Sequence, residues 1–502
     1  MKQYLLGLDV GTSGTKCILV DPENGRVAAS KTVEYPLYTP RAGWAEQDPA
    51  DWYRACCEAA RYVMAKCDGE LKGISFSGQM HGLVALDADG NVIRPSILWC
   101  DQRTQEECDE VTRAAGGDEA LLGYTNNRML TGYTGGKILW LKKNEPASFE
   151  RMRVFVCPKD YIRYRLTGEI MTDVSDASGT GFYDTKNHVW AKELIRACGL
   201  DIAVFPNVIE SSAFAGRVSA RAAQESGLPE GVPVFAGGGD AVIQNTGAGL
   251  VVPGNVGVVI GTAGNVSMAL DTFRDNPAGQ LQMFCNNAPE TWTALGCTIS
   301  AGGAYRWYRD TLCRDLIEKA KSTGTNVYDL MGMEAEASRP GANGVLFTPY
   351  LSGERIPYPD PLARGVFYGL SLSNDRGDMT RAVMEGVTYS LCQVVDIMRG
   401  FVPMKKVYAS GGGSASPLWR QMMADIFDLP VYTMSASGEG GAYGAVMVAA
   451  VGAGLRKDLA DAASVLVAET ETLPDPANRE AYREAYAKYC MLYPALADVY
   501  HA

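Results

Sequence analysis

Five stretches of this 502-residue chain bring together residue types that could do chemistry. In GLDVGTSGTK, residues 7–16, Asp9 ends an apolar run and a turn of small residues follows. The amides and hydroxyls of Gly11, Thr12, Ser13, Gly14 and Thr15 can surround phosphate oxygens, and Lys16 adds positive charge. The stretch is neither the GxxxxGK[ST] loop nor GxGxxG, so the two commonest nucleotide fingerprints are absent. A buried carboxylate needs a partner, and a hydrated Mg²⁺, which takes one or two carboxylates plus phosphate oxygens, would suit Asp9. A plain hairpin turn with a solvated aspartate explains the same residues equally well.

In VPVFAGGGDAV, residues 232–242, an apolar strand meets three glycines and then Asp240. Glycines weaken a regular element, so they read as places where something approaches closely. An aspartate just beyond them can accept a proton from a bound hydroxyl, the base role in phosphoryl transfer to an alcohol. Asp240 could equally cap the next helix, AVIQNTGAG, and one residue can serve both roles. IGTAG at 260–264 offers Thr262 and further amides for phosphate. In GGGSAS at 411–416 a flat adenine ring could lie on Gly411 and Gly412; alone, each is only a turn. Last, SGQMHG at 77–82 sets Gln79, Met80 and His81 between Gly78 and Gly82. A lone histidine is usually packed, but Gln79 is a second polar group that needs partners if buried, and a polyol would satisfy both.

The elements that must carry these residues are strands and helices of an α/β protein. Tyr4–Leu8, Cys17–Val20 and Val27–Tyr35 read as three strands of an antiparallel meander. Asp48 is a good N-cap and Pro49 a good first residue for a helix whose Trp52, Ala55, Cys56, Ala59, Ala60 and Val63 share a face. The strands flanking SGQMHG, around Ile74–Phe76 and Leu83–Leu86, suggest a hairpin. Strand–GTxG–strand occurs at 4–20 and again at 254–270, a weak duplication that predicts two domains of related design with a boundary near 246–254. In the last helix, Tyr482, Tyr486, Tyr489 and Tyr493 fall at helical spacing and read as a packing face.

Composition narrows the class. With 47% hydrophobic and 21% charged residues the chain is globular, and 502 residues exceed one ordinary core. No apolar run is long enough for a membrane span, and the N-terminus reads as a buried strand, not a signal peptide. Thirteen cysteines, an odd count without a CxxC pair, suggest reduced thiols and a cytoplasmic protein. Three histidines, His81, His188 and His501, make a zinc site improbable. A formal charge of −12 argues against nucleic acid as a partner.

Taken together the residues resemble the FGGY family of carbohydrate kinases, which share an actin-like, ribonuclease H-like fold of two domains with a cleft between them. The resemblance runs through the opening DVGTSGTK, ILWCDQRT (97–104), PKDYIRYRLTGE (158–169), TDVSDASGT (172–180), GGGD (237–240), GTAG (261–264), FTPYLSGERIPYPDPLARGVFYGL (347–370) and SGGGSASPLWRQMMAD (410–425). Within the family, SGQMHG followed by ILWxDQR is most similar to xylulokinases. The resemblance implies an N-terminal domain, 1–248, that binds sugar and carries the base, and a C-terminal domain, 249–502, that binds ATP. It implies Asp240 as the base that takes the sugar hydroxyl proton, with Asp9 near the Mg²⁺ and phosphate. Gln79, Met80 and His81 would face the ketose, and Asp9 and Asp240 the metal. Thr12, Ser13, Lys16, Thr262 and Gly264 would border the phosphates, and Gly411, Gly412, Ser414 and Trp307 the adenosine. The implied reaction is transfer from MgATP to a ketopentose, D-xylulose at O5. Other sugars or polyols, an actin-like ATPase without an acceptor, and a sugar sensor are the alternatives. Cys100, Ala241 and the alanine of GTAG depart from the family's common pattern, and the first two fall near the sugar. The resemblance allows a homodimer, for which the sequence marks no interface.

Overall fold

The computed structural model describes residues 2–435 and 440–502. The chain divides into two compact units. Unit 1 comprises Met1–Val252, Ala269–Thr293 and Ala436–Val467; unit 2 comprises Pro253–Met268, Ala294–Ser435 and Ala468–Ala502. Each unit is thus assembled from three separate segments of the chain.

Unit 1 is built on β1 (Gln3–Val10), β2 (Gly14–Val20), β3 (Val27–Glu34), β4 (Glu70–Gly78), β5 (Phe214–Arg217) and β6 (Pro233–Phe235). Their order is β5–β6–β4–β1–β2–β3. The first three form the expected meander; β4 then runs parallel to β1. Successive strand residues point to opposite faces, and β1 uses both. Leu6, Leu8 and Val10 join a core with Trp52, Ala55, Cys56 and Val63 of the helix Pro49–Met64. Leu5 joins another with Ile18, Phe235, Ala442 and Val446. This second core explains the return of the chain. The helix Gly440–Gly452 is apolar on every side and buried from Gly441 to Ala450, so it needs cover all round and finds it on the second face of the sheet.

The flanks of SGQMHG are not a hairpin. The strand Val84–Leu86 pairs antiparallel with Val154–Val156, away from β4. Asp48 accepts from the Ala50 amide and caps its helix as expected.

Unit 2 is built on β7 (Asn255–Ile260), most of β8 (Gly264–Leu270) and β9 (Trp292–Thr298), β10 (Lys406–Ser410), β11 (Val431–Met434) and β12 (Ala468–Thr472). They follow one another in the sheet as β9–β8–β7–β10–β11–β12. β7 is antiparallel to β8 and parallel to β10; β11 is parallel to β10 and antiparallel to β12. Unit 1 has the same order and directions, with β1, β2, β4, β6 and β5 in the places of β7, β8, β10, β11 and β12. The repeated strand–GTxG–strand is thus the start of a repeated sheet. Both units follow the actin-like, ribonuclease H-like plan. The tyrosines of the C-terminal helix pack as expected: Tyr482 and Tyr489 are buried, and the Tyr482 hydroxyl accepts from Arg381 at 2.6 Å. Among the described residues no helix is long and apolar enough to cross a membrane.

Candidate active site

Asp9 is the penultimate residue of β1, facing Lys16 on β2 and Ser77 on β4. The Ser77 hydroxyl donates to its Oδ1 at 2.7 Å. Burial pushes the Asp9 carboxyl above its ordinary range, against the pull of Ser77 and of the Lys16 charge. The turn that follows leaves Ser13 exposed. Thr12 departs from expectation. Its hydroxyl accepts from the Trp99 indole at 2.9 Å and donates to Gln79 Oε1 at 3.2 Å. That proton cannot go to a phosphate while the bond to Gln79 stands.

Gln79 also departs from expectation. It is fully buried, and its amide nitrogen donates to Gln47 Oε1 at 2.9 Å. Gln47 Oε1 in turn accepts from the Trp52 indole at 3.0 Å. Protein groups thus supply partners at both ends of the Gln79 amide, so no polyol is needed to satisfy it. The side chain ties the phosphate-type turn to the loop 77–82. Met80 is buried, and His81 holds a left-handed backbone with φ of 68°. The imidazole Nδ1 lies 2.7 Å from the Gly179 carbonyl, and the ring packs 4.8 Å from Tyr133. Burial, and then the charge of Lys137, hold its pKa down at about 3, so the ring is neutral.

Asp240 is the first residue of the helix Asp240–Gly247, and the cap position is Gly239. Its Oδ1 accepts from the Ala241 amide at 2.7 Å. Burial, and then the charge of Asp9, push the carboxyl up to about 7; amide bonds from Ala241 and Met80 oppose this. Asp240 therefore feels the Asp9 carboxylate, and its neighbour Gly239 lies against the SGQMHG loop. The glycines before it serve the protein's own packing. Gly238 and Gly239 pair with Ser77 and Gly78 of β4. A Cβ on Gly238 would sit 2.2 Å from Asn287 Nδ2, and one on Gly239 would sit 2.5 Å from Met80 Cγ. What approaches closely is the protein itself.

Two supports were not foreseen. Lys137 is fully buried and donates to the carbonyls of His81, at 2.6 Å, and of Gly132. Its signal was in the sequence, a lysine inside the otherwise apolar run TGGKILWL. The Gly239 amide donates to Ser175 Oγ at 2.9 Å, and Ser175 donates to Asp173. Asp173 Oδ1 in turn lies 2.8 Å from Lys159. Cys157, Asp160 and Asp176 stand close enough together to suggest a metal site. The Lys159 ammonium lies 2.6 Å from Asp160 and 3.0 Å from Asp176, so the cluster already holds its own cation.

In unit 2 the turn after β7 leaves Thr262 exposed and buries Gly264, whose Cβ would meet Thr298 Oγ1 at 2.6 Å. Gly264 thus turns its α-hydrogen to the interior. The carbonyls of Gly261 and Thr262 accept from the amides of Gly302 and Gly303 at the start of the helix Gly302–Leu312. Gly411 has φ of 81° and abuts the carbonyl of Ile260, which brings the second glycine turn beside the first. Gly412 is exposed with open space where a side chain would be. Ser414 Oγ donates back to the Gly411 carbonyl at 2.8 Å. Trp307 is 38% exposed and stacks on Phe347.

Comparison with known proteins matches residues 4–247 to the N-terminal domain and residues 257–453 to the C-terminal domain of the FGGY family of carbohydrate kinases. The xylulose kinase of Bacillus subtilis is 35% identical over 502 residues, covering 99% of this chain and 98% of that protein. The gluconokinase of the same organism is 32% identical over 476 residues, covering 94% and 91%. The crystal structure of a xyloylose kinase from Brucella ovis superposes with a TM-score of 0.89 at 35% identity, covering 98% of this chain and 99% of that one. The chain belongs to the FGGY family of carbohydrate kinases and is a phosphotransferase that takes a sugar hydroxyl as its acceptor.

Proposed function

We propose that the chain transfers the γ-phosphoryl group of MgATP to a ketopentose, D-xylulose at its O5 hydroxyl. The observation that carries this reading is the placement of Asp240 at the start of its helix, directly after Gly239, which pairs with Gly78 and abuts the Met80 side chain. It sets the one group suited to take a hydroxyl proton against the loop suited to read a polyol. Several relatives over nearly the whole chain are named xylulose kinase, which supports the choice of ketose.

In this mechanism Asp240 accepts the O5 proton as the oxygen attacks the γ-phosphorus, the bond to the β-phosphate oxygen breaks, and ADP leaves. The base needs proximity and orientation, and both come from the helix start and the Ser175 bond to Gly239. Asp9 and Asp240 are hard oxygen donors, the Asp9 charge raises the cost of ionising Asp240, and such a pair fits Mg²⁺. Bound there, Mg²⁺ would offset charge on the transferring phosphoryl group. Lys16 and the amides of residues 11–14 would face that phosphoryl group, with Ser13 exposed to meet it. Unit 2 would hold the nucleotide: Thr262 and the turn ending at Gly264 near phosphate, and Gly411, Gly412, Ser414 and Trp307 around adenosine.

A second reading, gluconate as acceptor, is favoured by the gluconokinase relative. A coupled ADP-release assay with MgATP separates the readings, using D-xylulose, D-ribulose, erythritol, glycerol, D-gluconate and no acceptor. The proposal expects D-xylulose to give by far the highest rate. A higher rate on D-gluconate replaces it with the second reading, and equal ADP release without acceptor removes both.

A further inference from the structure

His81 is gripped from two sides by groups that fix what it can do. Its carbonyl receives the Lys137 ammonium at 2.6 Å, and the same ammonium bonds the Gly132 carbonyl, so a buried lysine anchors the left-handed backbone. On the other side, Nδ1 lies 2.7 Å from the carbonyl of Gly179. A carbonyl only accepts, so Nδ1 must carry the hydrogen. In a neutral ring that leaves Nε2 without a proton, able to accept and unable to donate. The ring is kept in this pose by Tyr133 at 4.8 Å and Phe284 at 6.3 Å. Gly179 permits the contact: a Cβ there would lie 2.5 Å from His81 Cε1 and Nδ1 and 2.9 Å from Met80 Cε.

We propose that Lys137 and Gly179 are positioning residues that hold His81 as a pure hydrogen-bond acceptor, so that the site selects a substrate presenting a hydroxyl hydrogen there and rejects one presenting a carboxylate oxygen. The inference rests on the proposed function in placing the acceptor sugar against His81. It deepens that reading by separating ketoses and polyols from aldonates. Two acceptors facing each other leave a desolvated lone pair unpaired on each, which a buried site penalises heavily. The charged group that acts on the ring is Lys137, and Tyr133 is the titratable side chain packed on it. Lys137 itself is pushed down to about 7 by burial. As pH falls it gains its charge first, and that charge then opposes protonation of the imidazole.

The test begins without substrate. A long-range ¹H–¹⁵N spectrum of the full chain reads the protonation of each of its three histidines, and His81→Ala identifies the signals of His81. The expected result is a single neutral tautomer with Nδ1 protonated, from about pH 8 down to about pH 5. An Nε2–H tautomer, or an imidazolium at about pH 6, would overturn the proposal. In Lys137→Met the ring should protonate at higher pH than in the wild type, and the KM for D-xylulose should rise at least about tenfold, increasingly so at low pH. The KM for ATP should not move. A wild-type spectrum in this variant, or equal changes in both KM values, would remove Lys137 from the account. If Lys137→Met does not fold, Gly179→Ala serves instead. Its φ of −81° accepts alanine, and the added methyl should raise the D-xylulose KM alone. D-gluconate turned over as well as D-xylulose, with the tautomer as expected, would overturn the selection. The expected tautomer in a protein that phosphorylates none of the acceptors would support the clamp and remove the proposed function.

Discussion

The loop after β4 in unit 1 and the loop after β10 in unit 2 occupy the same place in the same sheet plan, and they are built in opposite ways. Both follow the strand parallel to the first, and both begin Ser-Gly, at Ser77-Gly78 and Ser410-Gly411. Ser77 pairs with Asp9, while Ser410 pairs with Val259. In unit 1 the loop continues with Gln79, Met80 and His81, the first two buried and all three held by neighbours. In unit 2 it continues with Gly412 and Gly413, and Gly412 opens onto free space. A shared backbone plan thus yields one surface of fixed side chains and one of bare main chain. The first suits a small ligand read through its hydroxyls, the second a flat ring that needs only a close approach. At the matching position of the first strand, unit 1 carries the Asp9 carboxylate and unit 2 the apolar Val259.

The sharpest way to break this division is Asp240→Asn. Loss of the base should lower kcat by about 10² to 10⁴-fold, while calorimetry finds D-xylulose binding nearly intact. Retention of a tenth of the wild-type rate would move the chemistry elsewhere. The pH dependence follows from the same residue. Burial and the Asp9 charge raise the free carboxyl to about 7, and the base must be ionised to act. At limiting MgATP, turnover should therefore fall by about tenfold per pH unit below that value, with no loss above it from this group. A profile flat down to about pH 5 would mean that the free enzyme's Asp240 ionises normally.

A paired experiment sharpens the comparison. His81→Ala should raise the D-xylulose KM by about tenfold and leave ATP unaffected, the loss of one hydrogen bond in a closed site. Gly412→Val should do the converse, because its side chain enters open space in unit 2 without meeting the protein. Crossed effects would dissolve the division of labour. The smallest effect is expected for Thr12→Val, which removes the bond to Gln79 and the acceptor of the Trp99 indole. A loss of about 1 kcal/mol in a denaturant titration, with a rise of about fivefold in the D-xylulose KM, would show that the turn braces the loop. An effect on the ATP KM alone would return Thr12 to the phosphates.

Much of this was legible in the sequence where local chemistry decides. The meander, the Asp48 cap and the repeated strand–GTxG–strand follow from alternation, capping and turn chemistry, and the structure contains each of them. The supposed hairpin around SGQMHG was misread because an apolar strand carries no mark of its partner; β4 pairs with β1, some 60 residues away along the chain. The glycines of GGGD show that a close approach exists but do not say by what, and Asn287 and Met80 fill that place. Gln79 was assigned to a ligand because Gln47 and Thr12, its partners, are distant in sequence. Lys137 was overlooked since a lysine in an apolar helix has no evident purpose until the carbonyls of His81 and Gly132 are placed around it.

The most direct test of the whole account is a crystal structure of the Asp240→Asn chain with D-xylulose bound. The account predicts O5 within about 3.2 Å of the side chain at position 240 and a second hydroxyl within similar reach of His81 Nε2. A sugar bound with O5 turned away from position 240, or bound in unit 2, would contradict it.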